Sequence, residues 1–162
     1  MNLFEQVFRA FNKADINYLV VGGVAVNLHG YLRFTADLDI LLLLEEKNLQ
    51  KTDSVMKEMG YSTRLPVSIM ELKDQEKVRS WLKEKNLKAF SFIPPKDNPL
   101  LIDIIIEESL KFRKIADQKI IKKISNVPIP VISIQDLVKM KKKANRKKDL
   151  IDLEALLKLK SL

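Results

Sequence analysis

Apolar residues recur along the chain with two different periods, and the switches between them mark helices and strands. Leu3, Phe4, Val7, Phe8 and Phe11 fall on one stripe at helical spacing, which predicts an amphipathic helix over residues 2–14. Residues 18–21, Tyr-Leu-Val-Val, form an unbroken apolar run stopped by glycine, the pattern of a buried strand. Gly22 and Gly23 allow a sharp turn and close approach of the backbone to a ligand. Residues 24–28 then fit one short helix, with Gly30 at the left-handed position beyond its end. A second strand follows from Asp37 to Leu44. Asp37 and Asp39 share one face with Leu41 and Leu43, while Leu38, Ile40 and Leu42 face the other way.

Further on, Leu49, Val55, Met56 and Met59 sit at helical spacing and Gly60 ends that helix. Residues 61–65 read as a short strand, and 66–72 fit neither pattern. Residues 74–85 read as a surface helix with Val78, Trp81 and Leu82 inward. Strands over 87–93 and 100–106, joined by a turn rich in proline, predict an antiparallel pair. A helix over 109–116 with Ser109 as its cap comes next. A hairpin over 119–124 and 127–132 follows, restricted to a sheet edge by Pro128 and Pro130. Ser133-Ile134-Gln135-Asp136 resembles a capping box with the shorter acid. It opens a helix whose buried side holds Ile134, Leu137, Val138 and Ala144, and a last helix from Lys147 packs through Leu150, Leu153, Leu156 and Leu157. Hairpin strands interspersed with helices make this an α+β chain with a mostly antiparallel sheet.

At 162 residues the chain fits one domain, 1–162, with the helices of about 133–162 packed on it. A hydrophobic share of 46% and a charged share of 31% are those of a soluble globular protein. The absence of cysteine excludes disulfides and thiolate metal sites. No apolar run is long enough for a bilayer, and the start lacks a signal-peptide layout, so a cytoplasmic protein with no membrane partner is expected. The net charge of +8 makes an anionic partner plausible without naming it.

Two carboxylates as close as Asp37 and Asp39, beside a run of leucines, repel each other and are costly to bury; a divalent cation removes that cost. Asp103 interrupts Leu100-Leu101-Ile102 and Ile104-Ile105-Ile106, so it needs a cation, a metal or a hydrogen-bond network. Glu107 is on the same face at the strand's exit, a weaker candidate. Lys141, seven residues after Ile134, points at the middle of an apolar helix side and needs an anion, either a phosphate or an aspartate. Arg33 suits a phosphate or a solvated loop, and Thr35 suits ordering that loop through its backbone. His29, the one histidine, and Trp81 are expected to be structural.

Gly22-Gly23, a spacer, then Asp37-Leu38-Asp39-Ile40 resembles the signature of the DNA polymerase β-like nucleotidyltransferase superfamily. The fuller string through His29-Gly30 and Arg33-x-Thr35-x-Asp37-x-Asp39 is similar to its small members, which include abortive-infection toxins. The later string of Leu137, Met140, Lys141, Ala144, Arg146, Lys148, Asp149 and Asp152 resembles the same group. Where many relatives carry serine, this chain has Gly23, leaving backbone donors alone.

The resemblance implies a nucleotidyltransferase-type sheet and transfer of an NMP from an NTP to a hydroxyl on RNA or tRNA, protein or a small molecule. Asp37, Asp39 and Asp103 would bind Mg²⁺ or Mn²⁺. Gly22, Gly23, Arg33, Thr35 and Lys141 would bind the nucleotide, with Lys141 also neutralising charge on the phosphates. Asp103 would take the proton, Arg146 and Asp149 would form a structural pair, and an antitoxin partner is conceivable for a toxin. Two other classes stay open: a nucleotidyltransferase-like protein that binds a nucleotide or partner without turnover, and a basic nucleic-acid-binding module.

Overall fold

A computed structural model describes residues 2–162. The chain begins with α1 (Leu3–Lys13), β1 (Tyr18–Val21), α2 (Gly22–Leu28), β2 (Leu38–Leu42), α3 (Glu46–Glu58) and β3 (Ser62–Thr63). A 3-10 turn (Ile69–Lys73), α4 (Gln75–Lys85), β4 (Ala89–Ile93), β5 (Ile102–Ile105), α5 (Ile106–Ser109) and α6 (Phe112–Ala116) follow. The hairpin β6 (Ile120–Ile124) and β7 (Val127–Val131) leads to α7 (Ile134–Ala144) and α8 (Lys147–Lys160).

The seven strands form one sheet in the order β3-β4-β5-β2-β1-β7-β6. The β1–β2, β3–β4, β4–β5 and β6–β7 pairs are antiparallel, whereas β2–β5 and β1–β7 are parallel. The α+β class and the mostly antiparallel sheet agree with the periodicities. Register gives the two faces different jobs. Tyr18, Val20, Leu38, Ile40, Leu42, Ile102 and Ile104 share one face, all of them buried. There Phe8 and Phe11 of α1 pack on Tyr18, with ring centroids 6.2 and 5.1 Å away. Asp39 and Asp103 lie on the opposite face.

The β6–β7 hairpin forms one edge of the sheet, as expected from Pro128 and Pro130, which stand in β7, one strand in from β6. Their missing N–H groups face away from β6, where β1 pairs only at Val131, and the carbonyl of Pro128 accepts from Asn12 at 2.8 Å. Residues 109–116 are not one helix. Ser109 ends α5, donates to the Ile105 carbonyl at 2.6 Å and accepts from the Leu42 N–H at 3.0 Å, so it ties α5 to β2 instead of capping α6. On α8, Leu150 and Leu157 are exposed, and Asp149 and Asp152 take inward positions beside Leu153 and Leu156. On α7, Ala144 is exposed rather than buried.

Candidate active site

Register brings two of the predicted acids side by side: Asp39 on β2 is the direct partner of Asp103 on β5. Neighbouring strands run about 4.8 Å apart, and paired residues project from one face. Asp37 lies two residues upstream, in the bend that leads into β2. Ser91, opposite Asp103 on β4, donates its hydroxyl to Asp103 Oδ1 at 2.6 Å. A serine hydroxyl, not an arginine, thus meets the half-buried Asp103 carboxylate.

Burial, followed by repulsion from Asp103 and Asp37, pushes the Asp39 carboxyl up to about 6, with Lys141 and Lys148 offsetting only part of the rise. Among the described residues no three acidic or histidine side chains converge into a ready-made metal cage. The donor set still suits Mg²⁺. Its ligands here would be hard carboxylate oxygens, and this ion characteristically takes one or two carboxylates together with water and substrate phosphates.

Gly22 follows β1, where Val21 pairs with Asp39. Its φ is +65°, and a Cβ there would collide with the Asp39 carboxylate. At Gly23 a Cβ would stand 2.6 Å from Thr35 Oγ1 and 3.1 Å from an Arg33 guanidinium nitrogen. Packing thus requires glycine at 22 against the Asp39 carboxylate and crowds any side chain at 23 against the Arg33–Thr35 loop. Thr35 donates to the Asp37 carbonyl at 3.4 Å, ordering the loop as expected.

A cavity of about 340 Å³ opens between the aspartate face of the sheet and α7. Gly22, Asp39, Lys141 and Arg146 are among its lining residues. Lys141 is buried as predicted, and the anions it meets are on α8: Asp152 at 3.0 Å and Asp149 at 3.3 Å. Asp152 also holds Arg33 through two bonds of 2.8 Å. Burial would raise the Asp152 carboxyl, but hydrogen bonds from Arg33 and Lys141 outweigh it and hold the group below its ordinary range. Asp149 behaves alike: bonds from Arg146 overcome its burial. Arg146 binds Asp149 at 2.7 Å, the structural pair the sequence suggested.

No family model matches the chain, and no curated protein does either. Solved structures do. ANT(2″)-Ia, in complex with adenylyl-2″-tobramycin, superposes with a TM-score of 0.60 at 13% identity, over 95% of this chain and 85% of that one. The lincosamide antibiotic adenylyltransferase LnuA, lincomycin-bound, gives 0.61 at 15%, over 96% and 95%. An antigenic nucleotidyltransferase-like protein from Paracoccidioides brasiliensis gives 0.62 at 12%, over 96% and 73%. The chain has the nucleotidyltransferase fold. At these identities the likeness speaks for the fold alone.

On that fold Asp39 and Asp103 are register partners, Gly22 packs on Asp39 and Gly23 on Thr35 and Arg33, Asp37 stands in the bend before β2, and Lys141 lines the adjoining cavity. Arg33 is beside Gly23, and its guanidinium is turned to α8 and to the Phe34 carbonyl at 2.8 Å. Glu107 pairs with Lys143 at 2.6 Å on the cavity rim. His29 lies elsewhere; its Nε2 is 2.7 Å from the Ile132 carbonyl, and burial lowers its pKa. Trp81 packs half-buried against the core. Sequence reasoning gave no role to Ser91, to Glu108 or to Asp152, the carboxylate that joins Arg33 to Lys141.

Proposed function

We propose that residues 1–162 act as one nucleotidyltransferase domain that moves an NMP from an NTP to a hydroxyl acceptor. The observation that carries the reading is the Asp39–Asp103 register pair, with Asp37 two residues before Asp39 and, among the described residues, no cationic side chain bonded to either member of the pair. Asp37, Asp39 and Asp103 are the residues that would hold Mg²⁺ or Mn²⁺. Bound there, a divalent ion supplies charge neutralisation at the phosphates and acidifies an oxygen ligand.

Asp103, oriented by the Ser91 hydroxyl, takes the proton of the acceptor hydroxyl. The freed oxygen attacks the α-phosphorus, the bond from that phosphorus to the bridging oxygen breaks, and pyrophosphate leaves with the electron pair. Lys141 adds positive charge at the cavity wall, and the Gly22-Gly23 backbone offers N–H groups to the phosphates. Arg33 and Thr35 contribute through the loop they order beside Gly23. The acceptor would be a small hydroxylated molecule, an RNA or tRNA end, or a protein. The antibiotic ligands of ANT(2″)-Ia and LnuA favour the first. The later string around Lys141 favours the small members of the superfamily, and a toxin among them would have an antitoxin as partner.

A second reading has its own support. Lys141 and Arg33 are both committed to α8 carboxylates, as they would be in a nucleotide- or partner-binding protein without turnover. Incubation with labelled NTPs, Mg²⁺ and pools of small RNAs and hydroxylated small molecules tests both. Labelled product from the wild type and none from Asp39→Asn supports the enzyme. Nucleotide binding with no product from any pool favours the second reading.

A further inference from the structure

The cavity beside Asp39 carries apolar walls, Ile105, Leu137, Met140 and Ala144 among them, interleaved with charged side chains such as Lys88 and Arg146. Glu108 lines it as well, and Glu108 Oε2 is buried without a hydrogen-bond partner among the described residues. Neighbouring charges do not relieve it. Glu107 holds Lys143 at 2.6 Å; Lys143 and Lys111 act on Glu108 through space, and its own backbone N–H offsets only part of the burial. Burial, the larger effect, pushes its carboxyl above the ordinary range. An unpaired carboxylate oxygen in such a place is costly, and a ligand's N–H or O–H would relieve that cost.

The cavity's volume of about 340 Å³ lies within the range of small-molecule sites, roughly 300–1,000 Å³. Its apolar walls suit a flat aromatic ring. Gly22 and Arg146 line the same space, so a ring seated against Leu137 and Met140 leaves its phosphates within the reach of the acids.

We propose that this cavity takes the base of the NTP and that Glu108 accepts a hydrogen bond from the base's exocyclic amino group. The inference rests on the nucleotide reading above and adds a preference to it: adenine or cytosine is chosen over the counterpart with oxygen in that position. A carbonyl oxygen there would face the carboxylate as acceptor against acceptor, leaving both unpaired.

The test is equilibrium binding, by titration calorimetry in Mg²⁺, of ATP against ITP and of CTP against UTP. The wild type and Glu108→Gln are compared, with far-UV circular dichroism of both to establish folding. A hydrogen bond to a charged group predicts a preference of about tenfold or more within at least one pair. Glu108→Gln, whose amide both donates and accepts, should reduce that preference to about twofold or less. The pair that discriminates tells whether a purine or a pyrimidine fills the cavity. Equal affinities within both pairs, or a preference that survives Glu108→Gln, overturns the role of Glu108 and leaves the nucleotide reading intact. Failure of all four nucleotides to bind sinks both.

Discussion

Replacing Asp39 by asparagine should make the protein more stable at neutral pH while removing its activity. The folded-state carboxyl titrates at about 6 against an ordinary value of 3.8, a rise of about two pH units, or about 3 kcal/mol at 1.36 kcal/mol each. The sign follows from proton binding. Between these two values the folded chain holds a proton that the unfolded chain has lost, so stability is full below about 3.8 and declines as pH rises through about 6. Above that the wild type carries a buried charge repelled by Asp103 and Asp37. Asparagine keeps the shape without the charge, although its amide must still find partners, so a gain of about 1–3 kcal/mol is expected near pH 7.5. Urea denaturation without divalent cations, at steps from about pH 4 to 8, measures it. The difference between variant and wild type should shrink steadily toward the acid end. Mg²⁺ with NTP should stabilise the wild type and leave Asp39→Asn unmoved. An asparagine variant that is less stable at neutral pH, or a difference independent of pH, would refute the claim that these carboxylates crowd one another.

Three further outcomes follow from the same geometry. Lys141→Met removes one of the two cationic partners of Asp149 and of Asp152, leaving Arg146 and Arg33, and should cost about 1–3 kcal/mol in urea denaturation, with Asp152→Asn on that background recovering part of it. Gly22→Ala forces a side chain into a left-handed position against the Asp39 carboxylate, so a loss of about 1 kcal/mol or more in a thermal melt and near-complete loss of transferase activity are expected. Ser91→Ala removes the one hydroxyl bound to Asp103; kcat should fall about tenfold or more with the NTP KM nearly unchanged, and stability should change by about 1 kcal/mol or less.

How much of this was legible depends on whether a residue's partner is close in sequence. The strand run at 18–21 and the strand acids at 39 and 103 could be placed because a period of two fixes facing from local pattern alone, whereas Asp37, expected in the strand, stands in the bend before it. The α+β class followed from the same periods. Asp152 shows where that reasoning stops. Two phases were available on the last helix. The one through Leu150, Leu153, Leu156 and Leu157 collects four leucines, whereas the one through Asp149, Asp152, Leu153 and Leu156 puts two acids inside. Hydrophobicity favours the first, yet the second wins because Lys141 on α7 and Arg33 after α2 supply the countercharges, 8 and 119 residues away in the chain. The inward lysine was itself the available signal: a cation forced into an apolar side requires an anion, and the nearest acids downstream at helical spacing are Asp149 and Asp152. Ser91 carried no such signal, since a serine alternating with Phe90 and Phe92 reads as an ordinary strand position until β4 is set against β5. The inward phase of α8 matters for chemistry as well as packing. It fixes Arg33, and through it the loop that ends at Asp37, so the acids of the site are positioned in part by the last helix of the described chain.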